Sequence, residues 1–287
     1  MKHIQGVILA VSAFIVWGMT PLFYSNCSSE NILHLLLYRT IGAIPFLLIV
    51  RLFISPEIQL KTLLKDKTSF LLCAINGIIM CISWLTFVYA LTHHEVMDAS
   101  LGYFINPLLL IFFGQVFLHE HLNFFQKIII RLAVCVFFIL TIMSGEVPIL
   151  AISMGVSFAF YSLIRKFIRY DLITSILLET VMVLPLILPV ILVCSPSAYM
   201  ADINIWVLFI APVTYIPVIL LAAALQKTTL AVIGLAQYTE PTIQFLLAVT
   251  VFNENAGLLE ISYFIIIWLG LAGCICEPII RNKFIQK

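Results

Sequence analysis

The sequence contains very little charge, and this shortage excludes a soluble fold. Only 10% of its 287 residues are charged, whereas 63% are hydrophobic. A soluble domain carries about 25% charged residues, and its interior cannot hide so large an apolar fraction. We therefore expect an integral membrane protein.

Several motifs are also missing from the chain. There is no G-x-x-x-x-G-K-[ST] loop and no soluble domain, which excludes a self-contained ATP-driven pump. The seven cysteines lie mostly in apolar runs without metal-ligand spacing, so we interpret them as packing residues. No clustered histidines and acids or activated nucleophile indicate catalysis. We expect no metal, no cofactor, no nucleic-acid partner and no enzymatic activity.

Long hydrophobic segments fill nearly the whole chain. A helix needs about 20 apolar residues to cross the bilayer core. Ten such segments are predicted, at roughly 4–24, 32–54, 68–91, 97–118, 124–143, 147–166, 173–195, 206–226, 230–252 and 259–279. No small-x-small cleavage pattern ends the first segment, so we interpret it as a retained span rather than a signal peptide. The predicted fold class is all-α, with ten transmembrane helices.

The charges are distributed unevenly between the two sides of this ten-span arrangement. If the N-terminus is cytoplasmic, every Lys and Arg except Arg39 lies in a cytoplasmic segment. Six acidic residues lie in the opposite loops or at their edge: Glu30, Glu95, Asp98, Glu146, Asp202 and Glu254. The positive-inside rule therefore predicts that both termini are cytoplasmic.

An internal repeat divides the sequence into two halves. Four residues recur at one offset of 134 residues: Ala90, Leu91, Pro107 and Glu120 return as Ala224, Leu225, Pro241 and Glu254. The halves are then 1–143 and 144–287, with five spans each. Because five is odd, the second half runs upside down relative to the first. Inverted repeats of this kind are typical of secondary transporters, whose site lies near the bilayer midplane.

The ninth segment carries polar residues at its centre. Gln237, Glu240 and Gln244 have the spacing i, i+3, i+7, which places them on one helix face. Pro241 cannot donate a hydrogen bond to the carbonyl of Gln237, so an acceptor is left free beside that face. We expect the polar face to point into the bundle.

The fourth segment has a matching proline. Pro107 frees the carbonyl of Tyr103, next to Asn106. Asn106 is the repeat equivalent of Glu240. The pattern predicts two half-broken helices at matching positions of the halves, which is the best sequence indication of a transporter's binding site.

Three charged residues lie within predicted spans: Arg39, Glu179 and Glu240. Each costs roughly 3 kcal/mol or more in hydrocarbon and needs a partner or an aqueous cavity. Depth along the helices favours Arg39 with Glu240, while Arg39 with Glu179 stays open if the seventh span bends at Pro185 and Pro189. A carboxyl group at Glu240 without a partner could carry a coupled proton, whereas pairing with Arg39 would prevent this.

Several stretches spread from the first span to the ninth resemble the RarD group of the EamA family, within the drug/metabolite transporter superfamily. They are Val16-Trp17-Gly18 with Pro21, ASLGYFINPLLLIFFGQVFLHE at 99–120, SFAFYSLIRK at 157–166, LLET at 177–180 and QYTEPTIQFLLAV at 237–249. Where that group often has a small residue before the proline of the ninth span, this chain has Glu240, as in the wider EamA family.

The resemblance implies ten helices in two inverted five-helix repeats, a bacterial inner membrane and a secondary transporter. It also brings the group's label, chloramphenicol-sensitive protein. The group's pattern maps onto these positions of this chain: Arg39, Tyr103, Asn106, Pro107, Glu179, Gln237, Tyr238 and Pro241.

The sequence thus predicts a transporter of small polar or zwitterionic metabolites or drugs that works by alternating access. Arg39 would attract an anionic group, and Glu240 a cationic group or a proton. Trp17, Trp84 and the two tyrosines Tyr103 and Tyr238 could line the cavity. The alternatives are a membrane-embedded enzyme, a channel or a structural membrane protein. The substrate, the direction of transport, the coupling ion and the oligomeric state are not predicted.

Overall fold

The computed structural model describes residues 2–27, 32–54, 65–92, 96–122, 124–144, 149–194 and 205–253, with four single positions beyond them: Ile261, Ile265, Trp268 and Leu269. Within these ranges the chain is helical and forms no β-strand. The all-α prediction is therefore confirmed. The tenth predicted span, 259–279, lies almost wholly outside the described residues.

Eleven described helices follow one another along the chain. They are α1 (Lys2–Gly18), α2 (Thr20–Tyr24), α3 (Ile32–Ile54), α4 (Lys67–Thr92), α5 (Val96–Leu118), α6 (Phe124–Ser144), α7 (Ile149–Arg165), α8 (Leu172–Cys194), α9 (Ile210–Leu225), α10 (Leu230–Gln237) and α11 (Thr239–Thr250). Two 3-10 turns, Ser25–Cys27 and Ile205–Phe209, lie before α3 and α9. These bounds agree with the first nine predicted spans.

Five of the described helical segments are long and apolar enough to cross a membrane: Lys2–Tyr24, His34–Ile54, Lys67–Thr86, Leu172–Pro189 and Ile205–Leu225. Large apolar side chains point outward from the bundle, among them Phe53 and Ile142, which are 84% and 77% exposed. In water such a surface would be unfavourable, but hydrocarbon is its natural solvent.

Two of the spans are interrupted rather than continuous. α1 ends at Gly18, the chain turns at Met19, and α2 begins at Thr20. In the ninth span, α10 ends at Gln237 and α11 begins two residues later. A break at this place follows from Pro241, which cannot donate to the carbonyl four residues earlier. The predicted interruption near Pro241 is thus confirmed.

The prediction of a matching break in the fourth span is wrong. α5 runs without interruption from Val96 to Leu118 and contains Pro107. α8 likewise continues through its own prolines, Pro185 and Pro189. A proline removes one backbone hydrogen bond, but neighbouring helices in a bundle can hold the helix together across the gap.

Most of the helix packing joins the first 143 residues to the rest of the chain. α1 packs against α9, α10 and α11, while α7 packs against α4 and α5. Two further pairs, α3 with α8 and α5 with α10, cross between the same two parts of the chain. The core where they meet contains Phe14, Leu110, Tyr161 and Leu221, which are fully or almost fully buried.

Two glycines allow helices to approach each other closely. A Cβ on Gly18 would lie 2.8 Å from the Cβ of Ile243 and 3.1 Å from the carbonyl oxygen of Glu240. A Cβ on Gly77 would overlap the carbonyl oxygen of Glu179. A side chain at either position would therefore push α1 from α11, or α4 from α8.

One end of the bundle collects basic residues, and we call it the basic end. There Lys166 donates from Nζ to the carbonyl oxygen of Thr228 at 2.5 Å, and Arg51 lies 3.9 Å from Asp171. The segment Arg165–Arg169, which contributes Lys166, follows α7 directly. The first residues of α1 also reach this end, because Gly6 contacts Lys227 and Thr228.

Candidate functional site

The larger cavity of the described bundle lies in the half remote from the basic end, and we call it the main cavity. It has a free volume of about 80 Å³, which is room for several water molecules. Five of the predicted site residues line it: Trp17, Trp84, Asn106, Gln237 and Glu240. Met154 also lines it and lies about 16 Å along α7 from Arg165, since a helix rises about 1.5 Å per residue.

The two helix breaks form one wall of the main cavity. Trp17 and Thr20 flank the turn between α1 and α2, and Gln237 and Glu240 flank the turn between α10 and α11. The Thr20 hydroxyl donates to the carbonyl oxygen of Trp17 at 2.6 Å and so satisfies one freed carbonyl. The breaks bring polar backbone and polar side chains together inside an otherwise apolar bundle.

Polar side chains around the main cavity are buried without partners. Asn106, Thr214 and Gln237 are 5%, 4% and 2% exposed. Their oxygens Oδ1, Oγ1 and Oε1 have no hydrogen-bond partner among the described residues. A buried polar atom without a partner costs about 1–3 kcal/mol, and most native proteins avoid it. Such a group at a cavity wall is available to a ligand.

A second, smaller cavity adjoins the main one, and we call it the charged cavity. Its free volume is about 20 Å³, enough for about one water molecule. Arg39 and Glu179 line it, and Met80 lines both cavities. The carbon of the Arg39 guanidinium lies 5.1 Å from the ring centroid of Trp84 and 5.2 Å from that of Tyr215. Two aromatic faces therefore stabilise this cation.

Neither pairing proposed for Arg39 is found. Within the part of the chain that the structure describes, Arg39 forms no ion pair, and its Nε atom has no hydrogen-bond partner. Glu179 instead pairs with Arg165, whose Nη1 lies 2.5 Å from Oε1 of Glu179. Asn76 donates to the same oxygen at 3.0 Å. We call these three residues, Arg165, Glu179 and Asn76, the ion-pair cluster.

Assigning Arg165 to an exposed cytoplasmic segment was therefore wrong. It is the last residue of α7 and is 7% exposed. Its guanidinium carbon also lies 5.6 Å from the ring centroid of Tyr161, one turn earlier on the same helix. The ion-pair cluster connects α4, α7 and α8, because each of these helices contributes one member.

Two predicted site residues lie elsewhere. Tyr238 is 1% exposed and is not among the described residues that line either cavity. Tyr103 lies within α5, but its side chain is outside the described part of the structure. Pro107 and Pro241 are both buried beside Asn106 and Glu240, on α5 and α11.

The sequence gave weaker signals for the remaining residues of the cavities. Thr20, Thr214, Ser83 and Phe158 line the main cavity and were not predicted. Asn76 had a usable signal, because a buried amide in the middle of an apolar span requires a partner. Thr214 and Ser83 had none, since small hydroxyl residues can satisfy themselves within any helix.

Comparison with known proteins agrees with this arrangement. The model of the EamA-like transporter family matches residues 4–142. Protein RarD of Escherichia coli K12 is 32% identical over 289 residues, covering 99% of this chain and 98% of the relative. An uncharacterized transporter of Vibrio cholerae is 31% identical over 273 residues, covering 93% of this chain and 90% of its own length.

A solved crystal structure shares the fold. It has a TM-score of 0.72 and 15% sequence identity, and the match covers 94% of this chain and 96% of that one. At so low an identity it supports the fold alone. The two near-complete sequence relatives go further, and with the apolar helices they identify a multi-pass membrane protein. The chain belongs to the EamA-like transporter family, and within it to the RarD group.

Proposed function

We propose that this protein is a secondary transporter that moves small polar or zwitterionic metabolites or drugs by alternating access around the main cavity. The observation that carries the proposal is the set of buried polar side chains without partners at this cavity, Asn106, Thr214 and Gln237. A purely structural bundle would gain stability by replacing them with apolar residues.

The proposal includes two inverted halves, 1–143 and 144–287. Two observations support them. The first helix of each half packs against the third and fourth spans of the other, as α1 does with α9, α10 and α11, and α7 with α4 and α5. Asn253 follows His119 by 134 residues, and both have left-handed backbone angles, φ of 54° and 53°. The sequence offset thus has a counterpart in the backbone.

The proposal also places the protein in the inner membrane with both termini cytoplasmic. Its support is the basic end, where the first residues of α1 lie beside Lys227 and Lys166. Under the positive-inside rule this end is cytoplasmic. The main cavity then lies in the outer half of the membrane, which makes the described conformation an outward-facing one.

Glu240 is the residue through which we propose that binding and any coupled proton are linked. It is 8% exposed, lines the main cavity and lies in the first turn of α11. A carboxylate at this position interacts with whatever enters the cavity, because the low local dielectric strengthens electrostatic interactions. Arg39 has its own environment in the charged cavity.

The test is ligand-induced thermal stabilisation of the purified protein, followed by transport. We would screen amino acids, nucleosides, cofactors and antibiotics, including chloramphenicol, against the wild type, Glu240→Gln and Arg39→Ala. A ligand at 100 times its dissociation constant adds about 2.7 kcal/mol to the folded state. We expect a stabilising compound whose effect is lost in Glu240→Gln, and saturable uptake of that compound into proteoliposomes.

Two results would contradict the proposal. One is a compound that binds tightly but shows no saturable uptake or exchange across the proteoliposome membrane. The other is uptake that Glu240→Gln leaves unchanged at every pH. The first would reject transport itself, and the second would reject the role of Glu240 while leaving transport intact.

A further inference from the structure

We propose that the main cavity selects substrates by positive charge, and that it takes a protonated amine or quaternary ammonium group attached to an aromatic or apolar body. This inference rests on the proposed transport function and deepens it by naming a substrate class. Three features of the cavity support it: its charge, its aromatic faces and the position of Arg39.

The charge of the cavity wall is negative. Glu240 is the single charged residue among the described residues that line the main cavity, and no Lys, Arg or His is found among them. A cation beside a buried carboxylate gains electrostatic energy, whereas an anion at the same distance loses a similar amount. The cavity therefore favours cations over anions of the same shape.

Aromatic side chains surround much of the remaining wall. Trp17, Tyr24, Trp84 and Phe158 all line the cavity, and the rings of Trp17 and Phe158 meet edge to face at 5.7 Å between centroids. The face of an aromatic ring attracts an ammonium group, and this attraction grows when the site excludes water. A carboxylate together with several aromatic faces is the chemistry of organic-cation recognition.

The neutral polar groups of the wall do not reverse this preference. Pro241 cannot donate to the carbonyl of Gln237, so this backbone oxygen is an acceptor at the cavity. The side-chain amides of Asn106 and Gln237 can donate or accept, depending on their orientation. They can therefore orient an ammonium group or a neutral substituent, but they supply no positive charge for a carboxylate.

Arg39, the cation expected to bind an anionic group, is placed apart from the main cavity. It lines the charged cavity, where its guanidinium is held over the rings of Trp84 and Tyr215. The charged cavity has a free volume of about 20 Å³ and also contains the carboxylate of Glu179, so a substrate carboxylate finds little room and an opposing charge. A zwitterion is consequently disfavoured relative to a simple amine.

The experiment uses three probes with the same body and different charges: 2-phenylethylamine, 3-phenylpropanoate and phenylalanine. Binding to the purified wild-type protein is measured by calorimetry and by ligand-induced thermal stabilisation. We expect the amine to bind at least tenfold more tightly than the anion and the zwitterion. Its affinity is expected to fall as the pH is lowered, because protons compete for the carboxylate.

Two carboxylate variants control for charge. Glu240→Gln is expected to weaken amine binding at least tenfold. Asp171→Asn removes the same charge from a partly exposed position beside Arg51, outside the described wall of the main cavity, and is expected to leave amine binding unchanged. Both variants are compared by the ligand-induced change, so a lower starting stability does not affect the result.

Equal or tighter binding of 3-phenylpropanoate or phenylalanine would overturn the inference, and so would the absence of amine binding. Loss of amine binding in Asp171→Asn to the same extent as in Glu240→Gln would also overturn it. The transport proposal fails separately. If chloramphenicol or an amino acid is taken up in a saturable way while the amine does not bind, the transporter stands and the charge preference falls.

Discussion

The main cavity and the ion-pair cluster contain similar polar residues in opposite states of satisfaction. In the ion-pair cluster, one oxygen of Glu179 accepts from both Arg165 and Asn76. At the main cavity, Asn106 and Gln237 have side-chain oxygens without partners among the described residues. The contrast indicates that the ion-pair cluster stabilises the bundle, whereas the polar groups of the main cavity are kept for a ligand.

The strongest way to break this comparison is to remove one charge of the ion-pair cluster. Arg165→Met leaves Glu179 ionised, buried and held only by Asn76. We expect the free energy of unfolding to fall by about 4 kcal/mol, since an unpaired buried charge costs about 3–5 kcal/mol. Denaturant titration in mixed detergent micelles measures the change.

The matched control for Arg165→Met removes both charges at once. The double variant Arg165→Met with Glu179→Leu is expected to recover most of the lost stability, because no charge is then left unpaired. If the double variant is as unstable as the single one, the pair does not act through charge and the interpretation of the ion-pair cluster is wrong.

The next largest effect is expected at the helix contact beside the ion-pair cluster. Gly77→Ala places a methyl group against the backbone carbonyl of Glu179, which cannot move aside as a flexible side chain would. We expect a loss of about 3 kcal/mol, at the upper end for overpacking of a core. Thermal melting measures it, with Gly42→Ala as the control.

Gly42 is a suitable control because its neighbour is a side chain. A Cβ at Gly42 would meet only the Cβ of Ala211, at 3.2 Å. We expect Gly42→Ala to cost less than about 1 kcal/mol, since the neighbour needs to shift by only a few tenths of an ångström. Equal losses at the two glycines would mean that the close contact between α4 and Glu179 is not important for stability.

The two asparagines sharpen the comparison because the same substitution is made in both regions. Asn76→Leu removes a hydrogen bond to a charged carboxylate and is expected to cost about 2 kcal/mol. Asn106→Leu removes an amide without a partner and is expected to change stability by about 0.5 kcal/mol or less. Only Asn106→Leu should abolish ligand-induced stabilisation. If Asn106→Leu costs as much as Asn76→Leu, Asn106 is structural.

Local chemistry explains what could be predicted from the sequence. The break before Pro241 was predicted because a proline has no N–H to donate, whatever its neighbours are. The same rule gave the wrong result at Pro107, where α5 continues. The missing hydrogen bond is the same at both sites, but the surroundings decide whether the helix separates, and these surroundings are not local in sequence.

Partners of charged residues were the least predictable feature, because they depend on which helices are neighbours. Arg165 looked like a loop residue, since it ends an apolar run and precedes Lys166. In the structure it turns inward to Glu179 on α8. Arg39 was expected to find a carboxylate and instead lies over Trp84 and Tyr215. Depth in the membrane restricts such pairs without selecting among the helices at that depth.

Glu120 extends the comparison to the basic end, where a third carboxylate is fully used. Its two oxygens accept from the backbone N–H groups of Leu230 and Ala231, at 2.8 and 2.9 Å, at the start of α10. The left-handed backbone of His119, with φ of 53°, ends α5 and is followed directly by Glu120. Gly114 leaves room for the carboxylate, because a Cβ there would lie 2.5 Å from its Oε2 atom.

The smallest expected effect is therefore at Glu120. Glu120→Gln keeps one acceptor oxygen but loses the charge at the N-terminus of α10, and we expect a loss of about 1 kcal/mol. Asp66→Asn is the control, because Asp66 accepts from the backbone N–H of Ser69 near the start of its own helix α4, and asparagine caps a helix equally well. Its melting temperature should stay close to that of the wild type. If the Glu120 variant is also unchanged, the contact between α5 and α10 does not depend on this carboxylate. Glu120 would then resemble the polar groups of the main cavity, which contribute little to the stability of the bundle, rather than the ion-pair cluster.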